Sequence, residues 1–288
     1  MITLGRGEFE LDIAPEFGGA ITRFEYGDRP VLRHVPQGTT NVLDMCLFPL
    51  VPYANRIAGG IFTFQGKEYR LPLNFGAHPH SLHGHGWQTA WRVVSMSRDR
   101  VSLAFDHAPD AWDWAYSAEQ VFTMTEDGLM LTLSLKSRDD KPMPYSLGLH
   151  PYFPRRAGSR LKAVVKGMWI ADDTLMPTDH ASPTKLIDLG NGQIVAAAPF
   201  VDNTFTGWQS PAVVTQPELG LEIALQASAN SGFLHVFIPE EADFFCAEPT
   251  TAMPNAFNRP ESSDVSGAGV LAPGATASID MRLVVRPL

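Results

Sequence analysis

Hydrophobic and polar side chains alternate along several stretches of this chain. The alternation is clearest at residues 9–13, 101–105, 129–135, 221–225 and 279–285. In an extended strand, a period of two puts every second side chain on the same face, so each stretch has one apolar face. The pattern predicts half-buried β-strands that pack that face against a second layer. No long stretch shows the period of a helix.

Turn-forming residues separate these stretches. Glu126-Asp127-Gly128 lies between two apolar runs, where Asp-Gly favours a β-hairpin. Residues 112–121 lead directly into that hairpin and carry aromatic side chains suited to strands, so we assign them to a strand rather than a helix. The Gly-, Ser- and Pro-rich stretch 259–274 is predicted to be a long surface loop, because another strand-like run follows it.

Many short strands with frequent turns predict an all-β fold, a large antiparallel sandwich or barrel. Hydrophobic residues make up 44% of the chain and charged residues 18%, which suffices for a sizeable core and excludes general disorder. No shift in composition marks a linker. We therefore expect residues 1–288 to form a single domain.

Charge and cysteine content exclude several classes of protein. The chain has 31 acidic and 22 basic residues, a formal charge of −9, and no basic block, so nucleic acid and membrane partners are not expected. No secretory signal or membrane span is visible, which predicts a cytoplasmic protein. Cys46 and Cys246 are too few for a disulfide framework, and their apolar neighbours predict buried, reduced thiols.

Four of the nine histidines lie within eight residues, at His78, His80, His83 and His85. Three interpretations remain open: a metal site, solvated loop histidines, or a metal-free site in which one imidazole acts on a substrate. A metal site is less favoured, because no Asp or Glu closely follows His85 to complete a ligand set.

Four other residues stand out by their surroundings. His150 lies in an aromatic run, and Glu248 follows an apolar strand-like run and precedes a proline. A buried carboxyl group at such a position has a raised pKa, which suits a general base near neutral pH. Arg56 and Asp202 are each flanked by apolar or aromatic residues. Taken singly, each of the four has an ordinary structural explanation.

Five short motifs in a fixed order resemble the aldose 1-epimerase (galactose mutarotase) family, from about Phe17 to the C-terminus. The motifs are Ala54-Asn55-Arg56-Ile57 with Gly59-Gly60, Leu82-His83-Gly84, Gly148-Leu149-His150-Pro151-Tyr152-Phe153, Val201-Asp202-Asn203-Thr204-Phe205, and Glu248-Pro249 with Asn255-Ala256-Phe257-Asn258. The resemblance implies a large antiparallel β-sandwich, the galactose mutarotase-like supersandwich, with a sugar cleft across one face. It also implies interconversion of the α and β anomers of a free aldose.

That reaction needs an acid and a base on opposite sides of the anomeric carbon. By the resemblance, Glu248 is the general base on the anomeric hydroxyl and His150 the general acid on the ring oxygen. His83 is the second catalytic histidine, which hydrogen-bonds near the ring oxygen. Arg56 and Asp202 bind sugar hydroxyls.

Trp87 is a candidate stacking partner for the sugar, because it lies close to His83 in the sequence. No cofactor and no metal are expected, and the partner is a small sugar bound by a monomer or homodimer. One departure from the family is His85, which stands where a second glycine is common.

Three alternatives remain at this stage. An epimerase of phosphorylated hexoses would need cations aimed at a phosphate, for which Arg70, Arg155 and Arg156 are available. A non-catalytic sugar-binding sandwich would need no acid–base pair. A metal-dependent β-barrel enzyme would use the histidine run 78–85.

Overall fold

A computed structural model describes residues 1–259 and 263–288. Nearly all regular secondary structure in these residues is β-strand. In chain order the strands are β1 (Ile2–Arg6), β2 (Phe9–Ala14), β3 (Ala20–Tyr26), β4 (Arg29–Pro30), β5 (Pro49–Leu50), β6 (Arg56–Ala58), β7 (Ile61–Phe64), β8 (Lys67–Arg70), β9 (His80–Leu82), β10 (Arg92–Met96), β11 (Arg100–His107), β12 (Tyr116–Thr125), β13 (Gly128–Ser137), β14 (Met143–Tyr145), β15 (Gly148–Leu149), β16 (Tyr152–Pro154), β17 (Arg160–Val164), β18 (Gly167–Ala171), β19 (Pro177–Ala181), β20 (Gln193–Ile194), β21 (Val201–Thr206), β22 (Gln209–Gln216), β23 (Leu221–Ala227), β24 (Phe233–Ile238), β25 (Phe244–Thr250), β26 (Gly269–Leu271) and β27 (Thr276–Pro287).

In residues 1–259 and 263–288, helical structure is confined to single turns. The 3₁₀ turns are Val42–Asp44, Gly86–Gln88, Val195–Ala197, Pro217–Leu219 and Ala256–Asn258, and the α-helical turn α1 is Ser263–Ser266. Among the described residues, no helix is long and apolar enough to cross a membrane.

Two large antiparallel sheets dominate the described part of the chain. One has nine strands in the order β10-β11-β12-β13-β27-β23-β22-β17-β20. The other has eight, in the order β19-β18-β21-β24-β25-β15-β5, with β16 also paired to β25. Both contribute to one hydrophobic core, for example Leu131 and Leu283 from the first sheet and Phe205 and Leu234 from the second. The predicted all-β antiparallel sandwich is therefore confirmed.

The period-two stretches form strands as predicted, in β2, β11, β13, β23 and β27. The Asp-Gly hairpin is also confirmed, because β12 and β13 pair with Thr125 opposite Gly128. Both cysteines are buried and free, as expected.

The prediction of a continuous loop over 259–274 is wrong in part, although residues 260–262 lie outside the described part of the chain. β26 pairs with β14 in register, Met143 opposite Leu271. Hydrogen bonds to a distant strand thus order a segment whose local composition favours turns.

Along the strands of the eight-stranded sheet, side chains point alternately into the core and to a second, polar face. On β21, Phe205 enters the core while Asp202 and Thr204 face away from it. On β24, Leu234 and Val236 enter the core while His235 faces away. This second face carries the candidate site.

Candidate active site

A cavity of about 240 Å³ lies over the polar face of β21, β24 and β25. Antiparallel pairing puts Thr204 opposite His235 and His235 opposite Glu248, so three polar side chains from distant parts of the sequence form one row. The cavity is lined by Leu43, Asn55, Arg56, Phe75, His78, Leu82, His83, His150, Tyr152, Asp202, His235, Phe237, Phe244 and Glu248.

A larger cavity of about 370 Å³ lies elsewhere, next to Trp169, His180 and Phe233. Its lining is mainly apolar and has no carboxyl group beside a histidine. The smaller cavity, in contrast, joins several titratable groups with shifted pKa values, and this combination is typical of functional sites. We therefore take the smaller cavity as the candidate active site.

His150 and Glu248 form a buried pair at its floor. His150 follows β15, Glu248 lies within β25, and Nε2 of His150 is 3.3 Å from Oε1 of Glu248. The Glu248 side chain is 1% exposed and that of His150 8% exposed. His150 Nδ1 and Glu248 Oε2 have no hydrogen-bond partner among the described residues, which is rare for buried polar atoms outside functional sites.

Burial governs the protonation of this pair. Desolvation, and then the negative charge of Asp202, raises the pKa of Glu248 well above its usual value. Desolvation, and then the nearby imidazole of His83, lowers the pKa of His150 well below its usual value. Both pKa shifts favour the arrangement in which one proton lies on the carboxyl group beside a neutral imidazole.

Arg56 and Asp202 form the second polar unit of the cavity. The guanidinium donates two hydrogen bonds to the carboxylate, 2.8 Å to Oδ1 and 2.7 Å to Oδ2. His235 extends the unit, with Nε2 3.0 Å from Asp202 Oδ1 and Nδ1 2.8 Å from the Thr204 hydroxyl. Burial alone would raise the pKa of Asp202, but the Arg56 charge and the His235 contact hold it far below its usual range.

His83 is held by the backbone of Asn55. The hydrogen bond from the Asn55 backbone N–H to His83 Nδ1, 3.2 Å long, makes Nδ1 an acceptor and leaves the imidazole proton on Nε2. Burial, and then the Arg56 charge, lowers the pKa of His83 to about 3, so the ring is a neutral hydrogen-bond donor at neutral pH. Gly84 is required next to it, because at φ +70° a Cβ would lie 2.3 Å from the Val51 carbonyl oxygen.

The four clustered histidines do not converge on one point. His78 Nε2 lies 3.5 Å from Arg56 Nε in the cavity, and His80 Nε2 contacts the Thr174 carbonyl at 3.0 Å. His83 faces the cavity, whereas His85 stacks on His107 with ring centroids 4.4 Å apart. The two triads of potential ligands in the described residues, His85/His107/Asp110 and His150/Cys246/Glu248, include no two members of the run 78–85. Burial also raises the pKa of the Cys246 thiol, which disfavours a thiolate ligand there.

Trp87 lies behind His83 rather than in the cavity lining. Its indole N–H donates to the Gly84 carbonyl at 3.2 Å, and its ring meets the imidazole of His83 edge-on. This position supports the orientation of His83. The aromatic rings that do line the cavity include Tyr152, Phe237 and Phe244.

Sequence reasoning missed His235, which the structure puts at the centre of the polar row. One signal could have revealed it: His235 is the single polar residue in Phe233–Ile238, where every neighbour is apolar. A buried polar residue at that position needs a hydrogen-bond partner. Because side chains alternate along a strand, His235 points to the face opposite that of Leu234 and Val236, away from the core.

Comparisons with known proteins indicate one family. The family model described as aldose 1-epimerase matches residues 1–283. The uncharacterized protein YphB of Escherichia coli (strain K12) is 33% identical over 291 residues, which cover 98% of both chains. Galactose mutarotase of Sus scrofa is 31% identical over 144 residues, 46% of this chain and 41% of the relative.

Solved structures show the same architecture. An Escherichia coli K12 protein provisionally described as an aldose 1-epimerase superposes with a TM-score of 0.91 at 31% identity, covering 99% of this chain and 98% of the other. A galactose mutarotase-like protein from Clostridium acetobutylicum superposes with a TM-score of 0.88 at 21% identity, covering 99% of this chain and 95% of the other.

Proposed function

The chain belongs to the aldose 1-epimerase family, and we propose that it catalyses the interconversion of the α and β anomers of a free aldose without a metal or cofactor. The observation that carries the proposal is the buried His150–Glu248 pair, which faces a cavity lined by further polar groups. Anomer exchange requires an acid and a base within reach of one substrate, because the sugar must gain one proton and lose another in the same cycle.

The chemistry can be followed proton by proton. Glu248 takes the proton of the anomeric hydroxyl while His150 delivers a proton to the ring oxygen. The bond between the anomeric carbon and the ring oxygen breaks, and an open-chain aldehyde with a free hydroxyl forms. Rotation about the adjacent carbon–carbon bond presents the other carbonyl face, and ring closure returns both protons.

The single proton of the pair fits this cycle. Reaction requires the carboxylate form of Glu248 and the imidazolium form of His150, which is the other arrangement of the same one proton. Movement of that proton across the 3.3 Å contact prepares the pair without exchange with solvent. After ring opening the proton has returned to Glu248, and ring closure reverses the transfer.

The remaining polar groups hold the sugar. His83 offers its Nε2–H to a sugar oxygen, and the fixed tautomer makes it a donor only. Asp202 accepts hydrogen bonds from hydroxyls while Arg56 and His235 fix its orientation. Positioning of this kind contributes several kcal/mol to the rate enhancement.

A phosphorylated substrate is less well supported. Among the described residues that line the cavity, the only Arg or Lys is Arg56, and both of its terminal nitrogens are engaged by Asp202. Arg70, Arg155 and Arg156 do not line the cavity. A free aldose is therefore the proposed substrate class.

Magnetisation-transfer NMR tests the proposal directly. Anomer exchange of glucose, galactose, xylose and arabinose, and of glucose 6-phosphate, is measured with metal-stripped protein. We expect accelerated exchange that falls at least about 100-fold in Glu248→Gln, the usual scale of a general base. Glu68→Gln, at a carboxylate whose side chain is 53% exposed on β8, is the matched control and should keep full activity.

Each other outcome has a distinct meaning. Sugar binding without accelerated exchange would replace the proposal with a non-catalytic sugar-binding protein. Activity that requires a stoichiometric metal would replace it with a metal enzyme. Acceleration of glucose 6-phosphate alone would move the substrate to phosphorylated hexoses.

A further inference from the structure

A buried cation lies behind one wall of the cavity. Arg33 is 9% exposed, does not line the cavity, and lies three residues after the end of β4. Its guanidinium donates to the backbone carbonyls of Met45 and Leu43, and within residues 1–259 and 263–288 it forms no ion pair with a carboxylate. An unpaired buried charge is destabilising, so its position calls for a functional explanation.

Arg33 contacts three residues of the cavity wall. The guanidinium carbon lies 3.8 Å from the ring centroid of Tyr152 and 4.6 Å from that of Phe244, and Leu43 is the third contact. The Arg33 backbone N–H also donates to the Tyr152 carbonyl at 2.8 Å. Arg33 therefore fixes both the main chain and the ring of Tyr152.

The Tyr152 ring in turn stacks on His150. The two ring centroids are 4.6 Å apart and the planes differ by 14°. One face of a phenol ring cannot hold both a guanidinium and an imidazole, so Arg33 and His150 lie on opposite faces. Phe48 packs against the side of this pair, with its ring centroid 4.6 Å from that of His150 and 5.9 Å from that of Tyr152.

We infer that Arg33 is a positioning residue for the proposed reaction: it holds the Tyr152–His150 stack in place and imposes its positive charge, across the Tyr152 ring, on the acid of the site. It does so without touching the sugar. The inference rests on the proposed function, because it gives Arg33 a role through His150.

Besides Arg33, the charged and titratable groups around His150 are Glu248, Cys246, His83, Tyr152, His235 and Asp202. The positive charge of Arg33 disfavours the imidazolium form of His150 and so contributes to the lowered pKa of that residue. The stack puts the guanidinium roughly 8 Å from the imidazole, where one charge changes a pKa by about 1.5 units at an effective dielectric constant of about 20.

Four variants separate charge from packing. Arg33→Met removes the charge and keeps an apolar stem against the rings, whereas Arg33→Lys keeps the charge and removes the planar stack. Arg33→Gln, which can still donate to a carbonyl, replaces Arg33→Met if that variant does not fold. Arg29→Met is the matched control, because Arg29 lies 4.8 Å over the Tyr26 ring, away from the cavity.

The first readout does not depend on activity. NMR of isotope-labelled imidazoles, with the His150 signal assigned by its loss in His150→Gln, follows the onset of imidazolium as the pH is lowered. We expect the onset about 1.5 pH units higher in Arg33→Met than in the wild type, and no shift in Arg33→Lys or Arg29→Met. Equal onsets in Arg33→Met and the wild type would overturn the inference.

The second readout is the pH profile of anomer exchange. The acidic limb of kcat/KM should move up with the NMR onset in Arg33→Met, and KM should rise in Arg33→Lys because the Tyr152 wall loses its planar support. A wild-type protein with no exchange activity would overturn the proposed function instead. Normal activity with an unmoved acidic limb in Arg33→Met would overturn the role of Arg33 alone.

Discussion

Asp202→Asn removes one negative charge from the centre of the site and nearly nothing else. The wild-type carboxylate is 5% exposed and accepts both guanidinium hydrogen bonds of Arg56, itself 10% exposed. An asparagine of the same shape leaves the guanidinium charge buried without a counter-charge. Breaking a buried pair in this way costs about 3 to 5 kcal/mol, more than the pair itself contributes. The contact from His235 is also weakened.

Urea unfolding and thermal melting measure this loss. For a chain of this size, about 4 kcal/mol corresponds to a Tm decrease of roughly 10 °C. Asp106→Asn is the matched control: its ion pair with Arg92 has a similar N–O distance, 3.0 Å, but the side chains are about 60% exposed. An exposed pair contributes about 0 to 1 kcal/mol, so the control should melt close to the wild type.

The pH dependence gives the reasoning a second test. A carboxyl group whose pKa is lowered in the folded state stabilises above its unfolded pKa, 3.8 for Asp202, and this stabilisation is lost as the pH falls toward the folded value. The difference between wild type and Asp202→Asn should therefore shrink below about pH 3.8. A variant that loses less than about 1 kcal/mol at pH 7, like the exposed control, would refute the argument.

Three further predictions follow from the protonation of the site. Glu248→Gln should be at least as stable as the wild type, and its advantage should grow as the pH rises above 4.5, because a raised folded pKa makes the wild type lose stability there; a constant difference would contradict this. The profile of kcat/KM should be a broad plateau, because the raised pKa of Glu248 and the lowered pKa of His150 keep one proton in the pair over a wide range of pH; a narrow maximum would count against it. His83→Asn keeps a residue that tolerates the positive φ of 58° and should lower kcat/KM by about 10- to 100-fold with little change in Tm; unchanged kinetics would make His83 structural.

Local patterns reveal the strands better than the site. β13 and β27 are long enough for their alternation to be unambiguous, and their apolar faces form the core. β5 and β15 have two residues each, which is too short for any period to appear, yet β15 joins β25 to β5 beside His150. Short strands of this kind are defined by long-range hydrogen bonds and not by their own composition.

The site depends on the register between strands that are far apart in the sequence, and local sequence patterns do not reveal that register. Asp202 and His235 are 33 residues apart, yet β21 and β24 put them on the same face, in contact. The same limit explains Trp87, where proximity to His83 in sequence gave no information about which side of the imidazole the indole covers. The motifs supplied Arg56, His83, Asp202, His150 and Glu248, all of which line the cavity.

Burial connects the stability of this site with its proposed chemistry. In water, Glu248 and His150 would carry opposite charges near pH 6, and no further proton transfer would be favourable. Desolvation penalises that ion pair, so the neutral arrangement, a protonated carboxyl group beside a neutral imidazole, is favoured. A reversible acid–base exchange requires that the proton can move between the two residues, because ring opening and ring closure use opposite arrangements of it. The unpaired polar atoms of the pair, His150 Nδ1 and Glu248 Oε2, destabilise the fold. Hydrogen-bond partners for these atoms would stabilise the protein, but they would also fix the proton on one residue and slow the cycle, so we expect the atoms to stay unpaired.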